Sequence, residues 1–246
     1  MAISISLSDI QVRRGGRTIL SVEQLTIPAG GFTVLAGHNG AGKTTLLKVC
    51  CGLIRPTRGI VRLNGQEIFR GWKGRFGPYR NPIGYVPQQT ETNAHLPFTV
   101  QEVVSMGLPG RLFGRQTAQD RQTVLQRLDE MGLAEQSGQT FRSLSGGQQQ
   151  KVLIARAMAA NPRLLLLDEP GTYLDPFWKK QLGEILQRLH STYSLTIVMI
   201  SHDWDWIPEC CRQVVLLECG RVRFAGSRQD FSDRTTELYR IGPADR

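Results

Sequence analysis

The spacing of hydrophobic residues changes three times along the chain and divides it into four stretches. Apolar and polar side chains alternate over residues 3–27, beginning with Ile3, Ile5 and Leu7, which predicts a small antiparallel β-layer. A buried strand at 32–36 then runs into a glycine-rich loop and the helical stretch Lys43–Cys51. From Thr99 to about residue 160 the period is helical, and beyond it strands and helices alternate again.

This order of elements predicts an α/β fold in which a doubly wound, mainly parallel sheet is interrupted by a helical insertion. We expect residues 1–246 to form one domain, with the helical subdomain at about 90–162 inserted into the core. The individual elements predicted are strands near Ile60–Leu63, Ile83–Val86, Leu164–Leu167, Leu195–Ile200, Val214–Leu217 and Val222–Ala225, helices around Val100–Val104, Val124–Met131, after Ser145 and from Pro176 to about His190, a short helix after Ile200, and a polar tail beyond Arg228.

The composition, with 40% hydrophobic and 21% charged residues, is that of an ordinary globular protein. No stretch approaches the roughly 20 apolar residues of a membrane-spanning helix. The N-terminal segment MAISISLSD lacks the basic and apolar regions of a secretory signal, so we expect a soluble chain in the cytoplasm. The five cysteines fit neither a disulfide framework nor a zinc site, which favours small apolar side chains in a reducing compartment.

A net charge of +9 makes nucleic acid, anionic lipid headgroups and nucleotides the candidate ligands. Part of the excess is a basic cluster at 70–80, where Arg70, Lys73, Arg75 and Arg80 occur without an acid. Aromatic residues lie between these charges, as in proteins that stack on bases. Glycines and prolines set the spacing, however, which favours a solvated loop near the membrane surface.

The glycine-rich loop after the strand at 32–36 matches the P-loop pattern completely. Its glycines let backbone N–H groups turn inward around an anion, and the next helix adds the positive end of its dipole. Lys43 is predicted to reach the β- and γ-phosphates of a nucleotide, and the Thr44 hydroxyl is predicted to bind Mg²⁺. The predicted nucleotide-binding residues of this loop are Gly37, His38, Asn39, Gly40, Ala41, Gly42, Lys43, Thr44 and Thr45.

An acidic pair, Asp168 and Glu169, follows the four leucines of Leu164–Leu167. A buried strand of a parallel sheet places such carboxylates at its carboxyl end, where ligands bind. Asp168 is predicted to hold Mg²⁺, and Glu169 to polarise the attacking water as a general base. Strands often end in exposed acidic residues, so the pair alone is weak evidence. It indicates a nucleotide site because the same chain contains a P-loop.

The segment Ser145, Gly146, Gly147 and Gln148 begins a helix and forms a second phosphate-binding helix start. A single γ-phosphate does not need two such sites from one chain. We therefore expect this segment to bind the nucleotide of a second copy. The alternative is an ordinary helix that Ser145 caps.

Taken in order, these segments resemble the ATP-binding-cassette (ABC) ATPases over essentially the whole chain. The P-loop resembles the Walker A motif, Leu144–Gln148 the signature, and Asp168–Glu169 the end of Walker B. Gln88, in Tyr-Val-Pro-Gln, resembles the Q-loop glutamine, and His202 resembles the switch histidine. The resemblance implies a P-loop NTPase with a helical signature subdomain, an ATPase activity, and ATP and Mg²⁺ as cofactors.

The resemblance also implies roles for single residues. Gln88 would contact Mg²⁺ and the attacking water, and His202 would hydrogen-bond the γ-phosphate and the water. Asp175, which ends the D-loop at 172–175, would cross a dimer interface. Many ABC ATPases stack an aromatic side chain on adenine near the position of Arg13 or Arg14 in this chain. A guanidinium plane also stacks on bases, so Arg14 is our candidate for a less selective base contact.

The partners implied by the resemblance are a second copy of the chain, which sandwiches two ATP molecules with the first, and a separate transmembrane permease subunit. An extracytoplasmic substrate-binding protein would complete the system, and the chain would lie peripherally at the cytoplasmic face of the membrane. The segments 84–89 and 96–104 resemble importers of zinc, manganese or iron, and the D-loop resembles importers of iron–siderophores, haem and cobalamin. We therefore expect uptake of a transition metal ion or a metal chelate.

Three alternatives remain open on sequence grounds. The chain could serve an exporter, an importer of another solute, or a soluble ABC ATPase that acts on nucleic acid or ribosomes. The last class usually has two cassettes or a long coiled-coil insertion, whereas about a hundred residues separate Lys43 from Ser145 here. We therefore expect no nucleic-acid partner. A regulatory cassette that does not hydrolyse ATP conflicts with the presence of Glu169 and His202.

Overall fold

Two β-sheets carry the described part of the chain. The computed structural model describes residues 2–69, 83–88, 98–109, 117–172, 174–202 and 206–239, so the basic cluster, Tyr173 and Asp203 lie outside it. The strands are β1 (Ile5–Arg14), β2 (Arg17–Ile27), β3 (Phe32–Ala36), β4 (Arg58–Leu63), β5 (Gln66–Glu67), β6 (Ile83–Val86), β7 (Leu164–Leu167), β8 (Thr196–Ile200), β9 (Gln213–Glu218) and β10 (Arg221–Ser227). The helices are α1 (Lys43–Cys50), α2 (Val100–Ser105), α3 (Ala118–Glu130), α4 (Gly146–Met158), α5 (Pro176–Tyr193) and α6 (Arg228–Tyr239).

The larger sheet has six strands in the order β10-β9-β3-β8-β7-β6, and only the β9–β10 pair within it is antiparallel. The smaller sheet is antiparallel, in the order β2-β1-β4-β5. The predicted doubly wound, mainly parallel sheet and the predicted N-terminal antiparallel layer are therefore confirmed. Helices α2, α3 and α4 lie between β6 and β7 in the chain. The bounds of a subdomain at 90–162 stay a prediction.

Successive residues of the central strands point into two different cores, because side chains alternate across a sheet. On β8, Ile197 and Met199 pack with the helices α2 to α5, whereas Val198 and Ile200 pack with α1 and the antiparallel layer. Both faces are covered, which explains why the strand Leu164–Leu167 is a continuous apolar run. Among the described helices, none is both long and apolar enough to cross a lipid bilayer.

The cysteines are buried for the most part and are all free thiols. Burial raises the pKa of Cys51 and of Cys211 to about 11. Both side chains are therefore protonated at neutral pH and act as small apolar groups in the core.

Close contact between α2 and α4 depends on a glycine. A Cβ atom at Gly107, directly beyond α2, would stand 1.9 Å from the carbonyl oxygen of Arg156 on α4. Any side chain there would push the two helices apart.

The N-termini of α2, α3 and α4 are each closed by a capping box, with Thr99, Thr117 and Ser145 as the capping residues.

A buried arginine joins α3 to the rest of the protein. Arg127 is 3% exposed, and its guanidinium donates to both carboxylate oxygens of Glu130 at 2.9 and 2.7 Å. It also donates to the Tyr193 hydroxyl on α5 and to the Asn161 side chain ahead of β7. Its carbon Cζ lies 4.8 Å from the centre of the Tyr193 ring. This cluster attaches one helix of the insertion to the parallel-sheet core.

We expect Arg127→Ala to lower the free energy of unfolding by about 3–5 kcal/mol, because removing one partner leaves the others of a buried ion pair uncompensated. Urea denaturation followed by circular dichroism measures this loss. Arg121→Ala, at an exposed position on the same helix, is the control and should change stability by less than about 0.5 kcal/mol. An equal loss of unfolding free energy in the two variants would contradict the inference that Arg127 attaches α3 to the core.

Two segments differ from the sequence-based expectation. The short helix predicted after Ile200 is absent from residues 206–212, and 203–205 lie outside the described ranges. A turn forms instead, in which the Cys211 N–H donates to the Pro208 carbonyl. The Arg212 N–H then donates to the Phe32 carbonyl of β3.

The segment that was predicted to be a polar tail begins with helix α6. Its Phe231 packs against Phe224 with ring centres 5.7 Å apart, which supplies the apolar anchor that a solvated tail lacks.

Candidate nucleotide-binding site

The carboxyl ends of four parallel strands converge on one edge of the larger sheet. The P-loop follows β3, Gln88 follows β6, the Asp168–Glu169 pair follows β7, and His202 follows β8. Ligands of parallel α/β sheets bind at this edge. The topology thus brings together residues that are up to 165 positions apart in the chain (37 to 202).

The P-loop turns sharply as it leaves β3. Gly37 has φ 141°, and a Cβ atom there would stand 2.3 Å from the Leu217 carbonyl oxygen of β9, so only glycine fits. Gly42, with φ 97°, caps α1 without a side chain. The predicted loop residues between these two glycines are His38, Asn39 and Gly40, which are exposed, and Ala41, which is buried; Lys43, Thr44 and Thr45 form the first turn of α1.

Lys43 lies inside the loop and is only 4% exposed. Its Nζ atom donates to the carbonyl oxygens of Gly37 at 2.8 Å and His38 at 2.9 Å. Burial lowers the pKa of Lys43, while the charges of Glu169 and Asp168 act in the opposite direction. The ammonium group therefore lies within an anion-binding loop, in position to exchange carbonyl partners for phosphate oxygens.

Asp168 is 2% exposed, and three hydrogen bonds hold its backbone and its carboxylate. Its N–H donates to the Val86 carbonyl of β6 at 2.9 Å. Its Oδ1 atom accepts from the Thr44 hydroxyl at 2.9 Å, and its Oδ2 atom accepts from the Tyr85 hydroxyl at 3.2 Å. Burial raises the pKa of Asp168 and the two hydrogen bonds oppose the rise. Desolvation and the neighbouring Asp168 likewise raise the pKa of Tyr85.

Glu169 adopts a left-handed backbone conformation, φ 49°, which is uncommon for a residue other than glycine. Such strain is often found at functional sites. It places the Oε2 atom of Glu169 within 3.1 Å of Gln88 Nε2, 3.2 Å of Thr172 Oγ1 and 3.3 Å of His202 Nδ1. The three candidate catalytic residues, Glu169, Gln88 and His202, therefore form one cluster with Thr172.

The signature segment lies apart from this cluster in the hydrogen-bond network. Ser145 caps α4, and its bonds with Gln148 stay within the first turn of that helix. Across the described ranges no hydrogen bond joins residues 145–148 to the P-loop. Ser145 and Gly146 are exposed, whereas Gly147 is buried beneath Trp178 of α5, where a Cβ atom would stand 2.6 Å from the indole ring.

The remaining two candidates also stay away from the cluster. Asp175 caps α5 by accepting from the Trp178 N–H at 2.8 Å. Arg14 is exposed at the end of β1, where it pairs with Arg17 of β2. Nothing in the described hydrogen bonds assigns either residue to a nucleotide, so their predicted roles stay predictions.

Sequence reasoning missed three residues of the site: Tyr85, Thr172 and Trp178. Tyr85 and Thr172 lie within segments that were recognised for other residues. For Tyr85, the alternation of side chains along β6 was the signal that could have identified it. Thr172 stands three positions after Glu169, which one turn of the chain brings back to the carboxylate. Trp178 carried no signal, because its contact with Gly147 depends on how α5 packs against α4.

The donor set at the sheet edge suits a hard cation. The Thr44 hydroxyl, the Asp168 carboxylate and the Gln88 amide oxygen are oxygen ligands of the kind that Mg²⁺ prefers when it also binds phosphates. No group of three or more His, Cys, Asp or Glu side chains suited to a metal ion occurs in the described part of the chain. The residues present therefore fit a magnesium ion that a nucleotide helps to hold.

The fold and the site together define a P-loop nucleotide-binding protein. The family model described as ABC transporter matches residues 20–172, which is more than half of the chain. The chain belongs to the ABC transporter family and is an ATP-binding ATPase of that family.

Relatives of known name support this assignment. The chain is 36% identical over 219 residues to the high-affinity zinc uptake system ATP-binding protein of Bacillus subtilis, covering 88% of this chain and 91% of that protein. It is 36% identical over 221 residues to the iron(3+)-hydroxamate import ATP-binding protein of the same organism, with coverages of 89% and 80%. It is 34% identical over 239 residues to a sulfate/thiosulfate import ATP-binding protein of Mycobacterium tuberculosis, covering 97% of this chain but 66% of that protein.

Solved structures agree with the family. The cbiO1 protein of Clostridium perfringens, part of the ABC transporter complex cbiONQ, matches with a TM-score of 0.82 at 26% identity, over 97% of this chain and 95% of that one. A dimeric bacterial ABC transporter cassette, MJ0796, matches with a TM-score of 0.76 at 27% identity, over 91% and 98%.

We expect Asp168→Asn to stabilise the nucleotide-free protein in EDTA, which would appear as a rise in its thermal midpoint. The folded-state pKa of Asp168 is raised, so its charge penalises folding above that pKa, and the penalty disappears below the unfolded-state pKa. The gain should therefore shrink as the pH falls. Differential scanning fluorimetry between pH 8 and pH 4 measures it, with exposed Asp129→Asn as the control; a pH-independent gain would contradict this account.

Proposed function

We propose that the chain hydrolyses ATP as one of a pair of subunits beneath a separate transmembrane permease, and that it powers uptake of a transition metal ion or a metal chelate. The observation that carries this proposal is the cluster at the sheet edge. A buried lysine within the P-loop, a buried aspartate bonded to Thr44 and a glutamate shared by Gln88, Thr172 and His202 together supply binding and hydrolysis.

In this proposal each residue has one task. Lys43 and the N–H groups of the P-loop bind the β- and γ-phosphates. Thr44, Asp168 and Gln88 would hold Mg²⁺, which would neutralise charge that develops on the phosphates. Glu169 accepts the proton of the attacking water through the carboxylate that Gln88 and Thr172 orient. His202, close to the same carboxylate, donates to the γ-phosphate.

The placement of the signature segment supports the proposed pairing of two copies. Its helix start is exposed at Ser145 and Gly146 and makes no hydrogen bond to the P-loop of its own chain within the described ranges. A helix N-terminus that is exposed at its first residues is a good site for binding phosphate. A second copy, placed head to tail, would offer the missing phosphate, and the related cassette MJ0796 is dimeric.

Glu169→Gln should lower the rate of ATP hydrolysis about 10²–10⁴-fold, because the amide keeps the hydrogen bonds but cannot accept a proton. ATP binding should persist, and the variant should elute as an ATP-dependent dimer in size-exclusion chromatography. Glu184→Gln, at an exposed position on α5, is the matched control and should behave like the unmodified protein. A normal hydrolysis rate in Glu169→Gln would refute the general-base role.

Lys43→Ala should weaken ATP binding about 10- to 100-fold, the effect of losing hydrogen bonds from a charged donor. Isothermal titration calorimetry with ATP measures the dissociation constant. Lys180→Ala removes an exposed lysine of α5 and serves as the control. Unchanged affinity in Lys43→Ala would mean that the loop does not bind the phosphates.

The substrate class rests on the likeness of particular segments and relatives. The zinc uptake and iron(3+)-hydroxamate import relatives match this chain over 91% and 80% of their own lengths. The sulfate/thiosulfate import relative is of comparable identity, so sulfate or thiosulfate is the second candidate substrate. An extracytoplasmic binding protein and a peripheral position at the cytoplasmic face of the membrane complete the proposed system.

Elemental mass spectrometry of cells decides between these substrates. In a strain without the gene, and in one that carries only Glu169→Gln, we expect a selective fall in zinc, manganese or iron under limitation for that metal. A fall in sulfate uptake with normal metals would favour the second candidate. Co-purification with nucleic acid instead of membranes would contradict a transport role altogether.

A further inference from the structure

Tyr85 contacts the site although the proposed mechanism assigns it no task. We propose that Tyr85 is a positioning residue that holds the Asp168 carboxylate in the orientation needed for the divalent cation of the nucleotide. This inference rests on the proposed function, because it concerns how the same site binds its metal. The observation that carries it is the pair of hydroxyl groups that reach the two carboxylate oxygens separately.

The carboxylate of Asp168 depends on these donors because water scarcely reaches it. Asp168 is 2% exposed, and a buried charge is costly unless it is hydrogen-bonded. Thr44 donates to Oδ1 at 2.9 Å and Tyr85 donates to Oδ2 at 3.2 Å. One donor comes from helix α1 and the other from strand β6. Together they fix the plane of the carboxylate from opposite ends.

The Thr44 contact alone does not fix that plane. A single hydrogen bond to Oδ1 leaves the carboxylate free to rotate about the bond between Cβ and Cγ, since this torsion is broad. The Tyr85 contact removes this freedom. The Thr44 hydroxyl donates its proton to Asp168, so its own oxygen keeps its lone pairs for a cation.

Strand pairing and core packing position Tyr85. It lies on β6 opposite Leu166 of β7, two residues before Asp168 in the paired strand. Its ring packs in the core between the larger sheet and the antiparallel layer. The next residue of β6, Val86, accepts a hydrogen bond from the backbone N–H of Asp168. One strand therefore holds both the main chain and the side chain of this aspartate.

The test is Tyr85→Phe, which removes the hydroxyl and keeps the ring. In a Glu169→Gln background with saturating ATP, binding of Mn²⁺ as a probe is measured by electron paramagnetic resonance. We expect the Mn²⁺ dissociation constant to rise about tenfold, the scale of one hydrogen bond to a charged group. ATP affinity in EDTA should stay unchanged. In the Glu169 protein, the Mg²⁺ concentration for half-maximal hydrolysis should rise by a similar factor, with little change in the rate at saturation.

The control is Tyr193→Phe. Its hydroxyl also donates to a carboxylate, that of Glu130 in the Arg127 cluster, but it lies outside the nucleotide site. Tyr193→Phe should leave the Mn²⁺ affinity unchanged whatever it does to the thermal midpoint. Comparison of the two variants thus separates loss of a hydrogen bond in general from loss of the one that positions Asp168.

Two results would overturn the inference while leaving the ATPase intact. One is Mn²⁺ binding in Tyr85→Phe equal to that of its parent. The other is an equal loss of ATP affinity in EDTA, which would indicate general damage to the site. If the parent protein itself shows no ATP-dependent Mn²⁺ binding, the proposed function fails together with the inference.

Discussion

Two adjacent carboxylates at the end of an apolar strand are the constraint around which the site is built. Asp168 and Glu169 follow four fully buried leucines, and charges at such a position are costly without partners. The protein meets this cost differently for each. Asp168 accepts from Thr44 and Tyr85, whereas Glu169 turns into a left-handed conformation and meets Gln88, Thr172 and His202. The buried ammonium group of Lys43 lies in the adjoining loop.

The difference between the two environments matches the difference between the tasks proposed for Asp168 and Glu169. A residue that holds a cation must keep a fixed orientation, and Asp168 is buried and bonded at both oxygens. A general base must exchange a proton with water, and Glu169 is more accessible, with 11% of its side chain exposed. Its described partners converge on a single oxygen, Oε2, so in the proposed mechanism the other oxygen would accept from the attacking water.

Most of the fold and most of the candidate site could be predicted from the sequence, because they depend on patterns of neighbouring residues. Strands buried on both faces, such as Leu164–Leu167, are continuous apolar runs, and a P-loop needs glycines at particular turns, such as Gly37. Local patterns of this kind are visible in the chain. The contacts that were missed depend on tertiary packing instead. Tyr85 donates to Asp168 only because β6 lies beside β7, and Trp178 covers Gly147 only because α5 packs against α4. The start of α6 was a missed local signal, since the Ser227 hydroxyl accepts a hydrogen bond from the Asp230 N–H there.

Helix α5 contacts two helices of the insertion, α4 at its start and α3 at its end, and it follows the segment that leads away from Glu169. At its start, Trp178 packs on Gly147 of α4, and the Lys151 ammonium lies 5.0 Å from the indole ring. At its end, Tyr193 is bonded to Arg127 and Glu130 of α3. Residues 172–175 lead from Glu169 into this helix, with Thr172 on the carboxylate and Asp175 as the helix cap. The Thr172 contact on Glu169, the Asp175 cap of α5 and the Trp178 contact on Gly147 thus lie in sequence between Glu169 and the signature segment. Since that segment is proposed to bind the nucleotide of the second copy, the same contacts would link the state of one site to the geometry of the other.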